Sequence, residues 1–167
     1  MAIIIGTLSR YLSSIADSKA GPVIRRAMEP VYDRLGCAAT STAGLVIKGA
    51  ASALAKNGSV FQGFAAGVPV TIAANTDMPA LTGTITANRF NVYCFFIDRA
   101  STVTVAQGVE GTSLALVKFP PFPRDKCLVG YLIITHSSTF TGGTTALDTA
   151  TTVYVSPVGA FDPNVRL

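Results

Sequence analysis

Two stretches decide how this chain reads: Phe90-Asn-Val-Tyr-Cys-Phe-Phe-Ile97 and Cys127-Leu-Val-Gly-Tyr-Leu-Ile-Ile134. Both are rich in aromatic and β-branched residues, the types that suit a pleated strand. Neither alternates between apolar and polar residues as a strand with one wet face would. Both faces of these strands are therefore expected to be covered, one by a second sheet and the other by an N-terminal helical arm or another subunit.

Working outward, residues 61–167 are rich in Thr, Val, Phe and Gly and carry no helical stripe. Further strands are predicted at 45–48, 60–64, 68–73, 83–86, 102–106, 114–118 and 151–156, with the two long ones spanning 90–98 and 127–135. Turn signals separate them: Asn57-Gly58, Gly67, Asn75-Thr76-Asp77, Asn88, Gly108 to Gly111, Pro120 to Pro123 and Gly142-Gly143. Many short strands at regular spacing predict a mainly β fold, an antiparallel sandwich or small barrel of jelly-roll-like type. Segment 50–56 fits a helical turn or a weak strand equally well.

The first 36 residues read differently. Leu8, Tyr11, Leu12, Ile15 and Ala16 fall at the spacing of one helix face, and Thr7 or Ser9 suits a cap. Gly21-Pro22 ends that helix and opens another, with Val23, Ile24, Ala27, Met28, Val31 and Leu35 as its apolar stripe. Pro30 is expected to kink it and Gly36 to close it. The predicted organisation is an amphipathic helical arm over 1–36, a small polar linker over 37–44 and a β domain over 45–167.

Charge follows the same division. Residues 1–60 hold seven basic and three acidic side chains, and so carry the whole net charge of +4. Arg25, Arg26 and Arg34 place much of this on the arm. A basic arm suits nucleic acid or an acidic protein surface. Four excess charges are few for nucleic acid, which favours a protein partner. Only 13% of residues are charged, against about 25% in ordinary globular domains, and mean hydropathy is +0.46. So few charges leave apolar surface to be covered by neighbouring subunits.

Catalytic signals are weak. His136 is the one histidine and lies where a loop is expected, with no Gly-x-Ser-x-Gly near it. Asp77, Asp98, Glu110, Asp125, Asp148 and Asp162 are scattered, nearly all at turn signals, where carboxylates bond backbone donors. The three cysteines, Cys37, Cys94 and Cys127, are widely spaced without a CxxC, so no disulfide framework or zinc site is predicted. Cys94 and Cys127 are expected to be buried, and would be neighbours if their strands pair. Asn57-Gly58-Ser59 matches a glycosylation acceptor, though Asn-Gly is first a hairpin signal. Phe119-Pro-Pro-Phe-Pro123 resembles a polyproline recognition segment; as a rigid connector it would instead pack Phe119 and Phe122 inward. No catalytic residue, metal or cofactor is assigned. No apolar run approaches a membrane span, and the start lacks a basic region before its short apolar run, so neither a membrane partner nor a secretory signal is expected.

One resemblance stands out. Gly-Leu-Val-Ile-Lys-Gly (44–49), Val-Thr-Ile-Ala-Ala-Asn-Thr-Asp-Met-Pro-Ala-Leu-Thr-Gly-Thr-Ile-Thr (70–86) and Phe-Asn-Val-Tyr-Cys-Phe-Phe-Ile-Asp (90–98) form its first part. Val-Gly-Tyr-Leu-Ile-Ile (129–134), Phe-Thr-Gly-Gly-Thr-Thr-Ala-Leu-Asp (140–148) and Gly-Ala-Phe-Asp-Pro (159–163) complete it. This ordered set resembles small virion structural proteins of tailed phages, similar in style to capsid decoration and head-fibre proteins. The resemblance implies a β-rich body that oligomerises, often as a trimer, on a capsid surface.

The expected function is then a decoration, cement or head-fibre subunit of a virion, made in the host cytoplasm. Its expected partners are the major capsid protein or another virion protein and further copies of itself, with no small-molecule substrate. The arm residues Leu8, Tyr11, Leu12, Ile15, Val23, Ile24, Arg25, Arg26, Met28 and Arg34 are the expected shell contacts. Phe90, Tyr93, Phe95, Phe96, Leu128, Tyr131 and Ile133 are the expected core or oligomer residues. Two other classes remain. A receptor- or glycan-binding fibre or spike module would need an exposed aromatic and polar pocket in loops 107–113 or 137–147. A virion-associated hydrolase would act through His136.

Overall fold

A computed structural model describes residues 36–161. The segment expected to form a helical arm, with its candidate contacts, lies outside the described residues, apart from Gly36.

The strands are β1 (Ala38–Ala39), β2 (Leu45–Ile47), β3 (Ala55–Asn57), β4 (Phe61–Ala65), β5 (Val68–Ile72) and β6 (Thr84–Ile85). They continue with β7 (Phe90–Ile97), β8 (Val103–Gln107), β9 (Cys127–Thr135), β10 (Phe140–Thr141) and β11 (Thr151–Val155). The chain is mainly β and every strand pairing is antiparallel. A four-stranded sheet, ordered β11-β9-β7-β8, forms the centre. A three-stranded sheet β1-β4-β5 and the pairs β2-β3 and β6-β10 surround it. None of these sheets closes into a barrel, which removes that half of the sequence expectation.

The two long apolar runs are the adjacent strands β7 and β9, paired from Phe90 opposite Thr135 to Ile97 opposite Cys127. The register shifts once. Phe95 faces Gly130 and Phe96 faces Leu128, which leaves Val129 without a partner. An extra residue of this kind flips the alternation of a strand. Cys127 and Val129 therefore face the same interior as Leu132 and Ile134, while Leu128 shares the other face with Tyr131 and Ile133. Gly130 sits at the flip, where a Cβ would come within 2.6 Å of both Leu45 Cδ1 and the Val155 carbonyl. Only glycine lets β9 approach its neighbours this closely.

One face of the central sheet carries Tyr93, Phe95, Ile97, Cys127, Val129, Leu132 and Ile134. With the small sheets it encloses the main core, which adds Leu45, Phe61, Val70, Ile72, Met78, Ile85, Phe140 and Leu147. The other face carries Val92, Cys94, Phe96, Leu128 and Tyr131. Its cover differs from the expectation. Phe119, Phe122 and Phe161 of the same chain lie over it: Phe122 meets Phe96 edge-on at 5.0 Å, and Phe119 meets Tyr131 at 5.2 Å. The three rings also touch one another. The prolines of Phe119–Pro123 hold the segment extended, with its rings turned inward.

Other departures have local causes. Residues 37–44, read as a linker, form β1 and bury Ala39 and Ala43. Small side chains there permit close packing rather than signalling a tether. Residues 114–118, read as a strand, instead form a 3-10 turn over Leu114–Leu116 followed by an extended residue. Its first bonds are local, Leu116 N–H to Ser113 and Val117 N–H to Leu114, and only Lys118 pairs across, exchanging two backbone bonds with Val109. The ambiguous segment 50–56 is a turn leading into β3.

Candidate interaction surface

The residues proposed as core or oligomer contacts separate cleanly. Tyr93, Phe95 and Phe96 are fully buried and Leu128 and Tyr131 nearly so; all serve the chain's own interior. Phe90 and Ile133 are half-buried. Strand register explains why. On the second face, the row Leu128–Phe96–Thr104 and the row Val155–Tyr131–Cys94–Ala106 cross the sheet side by side. Phe119, Phe122 and Phe161 cover these two rows. Along the next rows, Val153–Ile133–Val92 and Thr151–Thr135–Phe90, burial falls from Val92, fully buried, through half-buried Ile133 and Phe90 to Val153.

Val153 is consequently 50% exposed at the outer edge of an otherwise apolar row. Beside Phe90 the chain turns through Gly111, which exchanges two 2.9 Å backbone hydrogen bonds with it. Leu116 packs against Gly111 so closely that a Cβ there would sit 2.9 Å from its own. Leu116 is 59% exposed, Val109 likewise, and Leu114 40%. Exposed Val153 thus stands at one side of this sheet end, and exposed Leu114 and Leu116 lie in the loop that pairs with Phe90 through Gly111 at the other. Sequence reasoning reached Phe90 and Ile133 but missed Val153, Leu114 and Leu116. A signal existed: strand β11 reads Thr-Thr-Val-Tyr-Val, and its alternation sets Val153 on the same face as Val155 but two residues farther along.

The residues weighed for chemistry are engaged elsewhere. His136 Nδ1 accepts the Ser138 backbone N–H at 3.1 Å and lies 2.9 Å from Ser138 Oγ. This is a turn closed between residues two apart. Asp98 Oδ1 accepts the N–H groups of Ala100 and Thr102, each at 2.9 Å, and shapes the β7–β8 hairpin. Glu110 accepts both the N–H and the hydroxyl of Thr86, with Arg89 3.7 Å away. These bonds, the backbone one foremost, hold its carboxyl below the usual range. Asp148 accepts the Ala51 N–H at 2.7 Å and Asp77 pairs with Lys48. Among the described residues no three His, Cys, Asp or Glu side chains come together as a metal site.

Asn57 is fully buried. Its Nδ2 donates to the Ser59 and Ala73 carbonyls at 2.9 and 2.8 Å, and its Oδ1 accepts the Thr76 N–H at 2.7 Å. The side chain is a structural hub, and its nitrogen is committed to the interior rather than to a glycan. In the loop 137–147, Phe140 and Leu147 are core residues, so that loop presents no exposed aromatic. Cys94 and Cys127 lie on adjacent strands but on opposite faces of the sheet, so they are not a pair. Burial pushes the Cys94 thiol well above its ordinary range.

No family model matches the chain, and no curated protein or solved structure matches it either.

Proposed function

We propose that this chain is a structural subunit of a tailed-phage particle, a capsid decoration, cement or head-fibre protein. In this reading the body is an antiparallel β-sandwich preceded by a helical arm. The observation that carries it is the set of apolar residues at and beside this sheet end, Val153, Ile133, Phe90, Leu114 and Leu116, on a chain with so few charges. An apolar sheet end left open on a sparsely charged body is suited to burial between subunits. The resemblance of residues 44–163 to phage virion proteins supplies the particle.

Mechanistically, copies associate around a symmetry axis through this region, a trimer being the expected form. The arm then lays Leu8, Tyr11, Leu12, Ile15, Val23, Ile24 and Met28 on the major capsid protein or another virion protein. Arg25, Arg26 and Arg34 meet its acidic groups. Apolar anchors supply the affinity and the charges set orientation. Many copies, each held modestly, clamp a shell by multivalency.

Imaging the intact particle tests this directly. Density for the β body is expected on its surface in many symmetry-related copies. Deleting residues 1–36 is expected to abolish shell binding in co-sedimentation while leaving a folded β oligomer. A solitary monomer absent from purified particles overturns the proposal.

A further inference from the structure

Two of the three thiols approach one interior from different layers. Cys37 lies one residue before β1. Continuing the β1–β4 register, in which Ala38 pairs with Phe64 and Ala39 with Gly63, sets Cys37 opposite Ala65. Alternation gives Cys37 the same inward side as the buried Ala39. Its Sγ accepts the Ala66 N–H at 3.2 Å and donates to the Arg124 carbonyl at 3.4 Å. Arg124 is three residues before Cys127. Cys127 opens β9 with its thiol in the main core, 1% exposed, and β1 packs directly on β9. Burial pushes the Cys127 thiol up to about 12, and the neighbouring Cys37 adds to the push. Cys94 faces the other side of the sheet and takes no part.

We propose that Cys37 and Cys127 are a latent disulfide pair, closed by a small disulfide such as oxidised glutathione. The bond would tie the point where residues 1–35 join the body to the central sheet. The half-buried Cys37 thiolate attacks the small disulfide, forms a mixed disulfide and expels one small thiolate. The Cys127 thiolate then attacks the Cys37 sulfur and expels the second. The two protein sulfurs are oxidised, the reagent is reduced, and the two thiol protons end on the two released small thiols. Cys127 reacts only as thiolate, so the second step should quicken about tenfold per pH unit between pH 7 and 9. The inference stands independently of the proposed function.

The test uses the full-length protein incubated with oxidised glutathione at pH 8, read by intact mass and peptide mapping. The expected result is a monomeric product lighter by two hydrogens. One cross-linked peptide pair should join Cys37 to Cys127, with Cys94 alkylated only after denaturation. Closing so long a loop should raise the Tm by at least about 5 °C. Cys37→Ser should abolish the cross-link, and Cys127→Ser should leave Cys37 carrying one glutathionyl group. If the natural protein itself stops at glutathionylated Cys37 even at pH 9, or if Cys37 links only to a second chain, the pairing is overturned.

Discussion

At the scale of single residues, Asn57 illustrates how one polar side chain organises loops that the strands cannot reach. Its amide ties together residues 59, 73 and 76 from inside the protein. Asn57→Asp keeps the size but replaces two donors with a carboxylate facing two carbonyl oxygens. Unsatisfied and repulsive buried groups of this kind cost at least about 3 kcal/mol, so the urea midpoint of unfolding should fall sharply. The buried acids make a second prediction. Burial raises Tyr93 to about 12, Cys127 to about 12, and Cys94 further, from ordinary values of 10.0 for the phenol and 9.0 for the thiols. The folded state holds these protons while the unfolded chain releases them. Stability should therefore be flat up to about pH 9 and fall progressively from there toward pH 12. Thermal unfolding followed across pH 6 to 11 checks this; an unchanged Tm at pH 10.5 would contradict it.

At the scale of elements, the central sheet is unusual in needing cover on both faces and in finding most of it within one chain. Phe119–Pro123 acts as an aromatic lid, with Phe119 touching Phe122, Tyr131 and Phe161 edge-on or nearly so. Phe119→Ala should cost about 2–3 kcal/mol, less than a fully buried ring because Phe119 is half-exposed. It should also expose Tyr131 and Cys94, which increased dye binding and faster Cys94 alkylation would register. The same segment shows how an element's role was only half legible. Its Phe-Pro-Pro-Phe-Pro composition announces a stiff extended piece, but which surface it seals follows from where β9 leads it.

For the whole molecule, the proposed association rests on the exposed apolar residues at this end of the sheet. Val153 and Leu116 lie at its margins, 50% and 59% exposed. Val153→Lys combined with Leu116→Lys should leave the Tm within about 2 °C, since neither side chain fills the core. The pair should nevertheless lower the association state measured by light scattering and weaken shell co-sedimentation at least tenfold. Unchanged association would remove this region as an interface. Residues 137–147 make no comparable surface, because Phe140 and Leu147 are drawn into the core.

The strands and their approximate bounds were legible because hydrophobic runs and turn residues are local properties. Observed β9 spans Cys127–Thr135 as expected, and β4, β5, β7, β8 and β11 lie within a residue or two of their predicted bounds. Short β1 and β10 were not legible, and β3 only as one of two readings of 50–56. Unlike equally short β2 and β6, they lack a run of β-branched residues of their own and become strands only when a partner lies alongside. The candidate site divides the same way. Apolar Phe90 and Ile133 could be picked out from composition, yet whether such residues face the interior or solvent depends on the register across four strands and on how far the aromatic lid reaches. The bulge at Val129 and the placement of Cys94 and Cys127 on opposite faces belong wholly to tertiary structure. A single extra residue reverses every side chain beyond it, and only the pairing of β9 with β7 reveals where that residue falls.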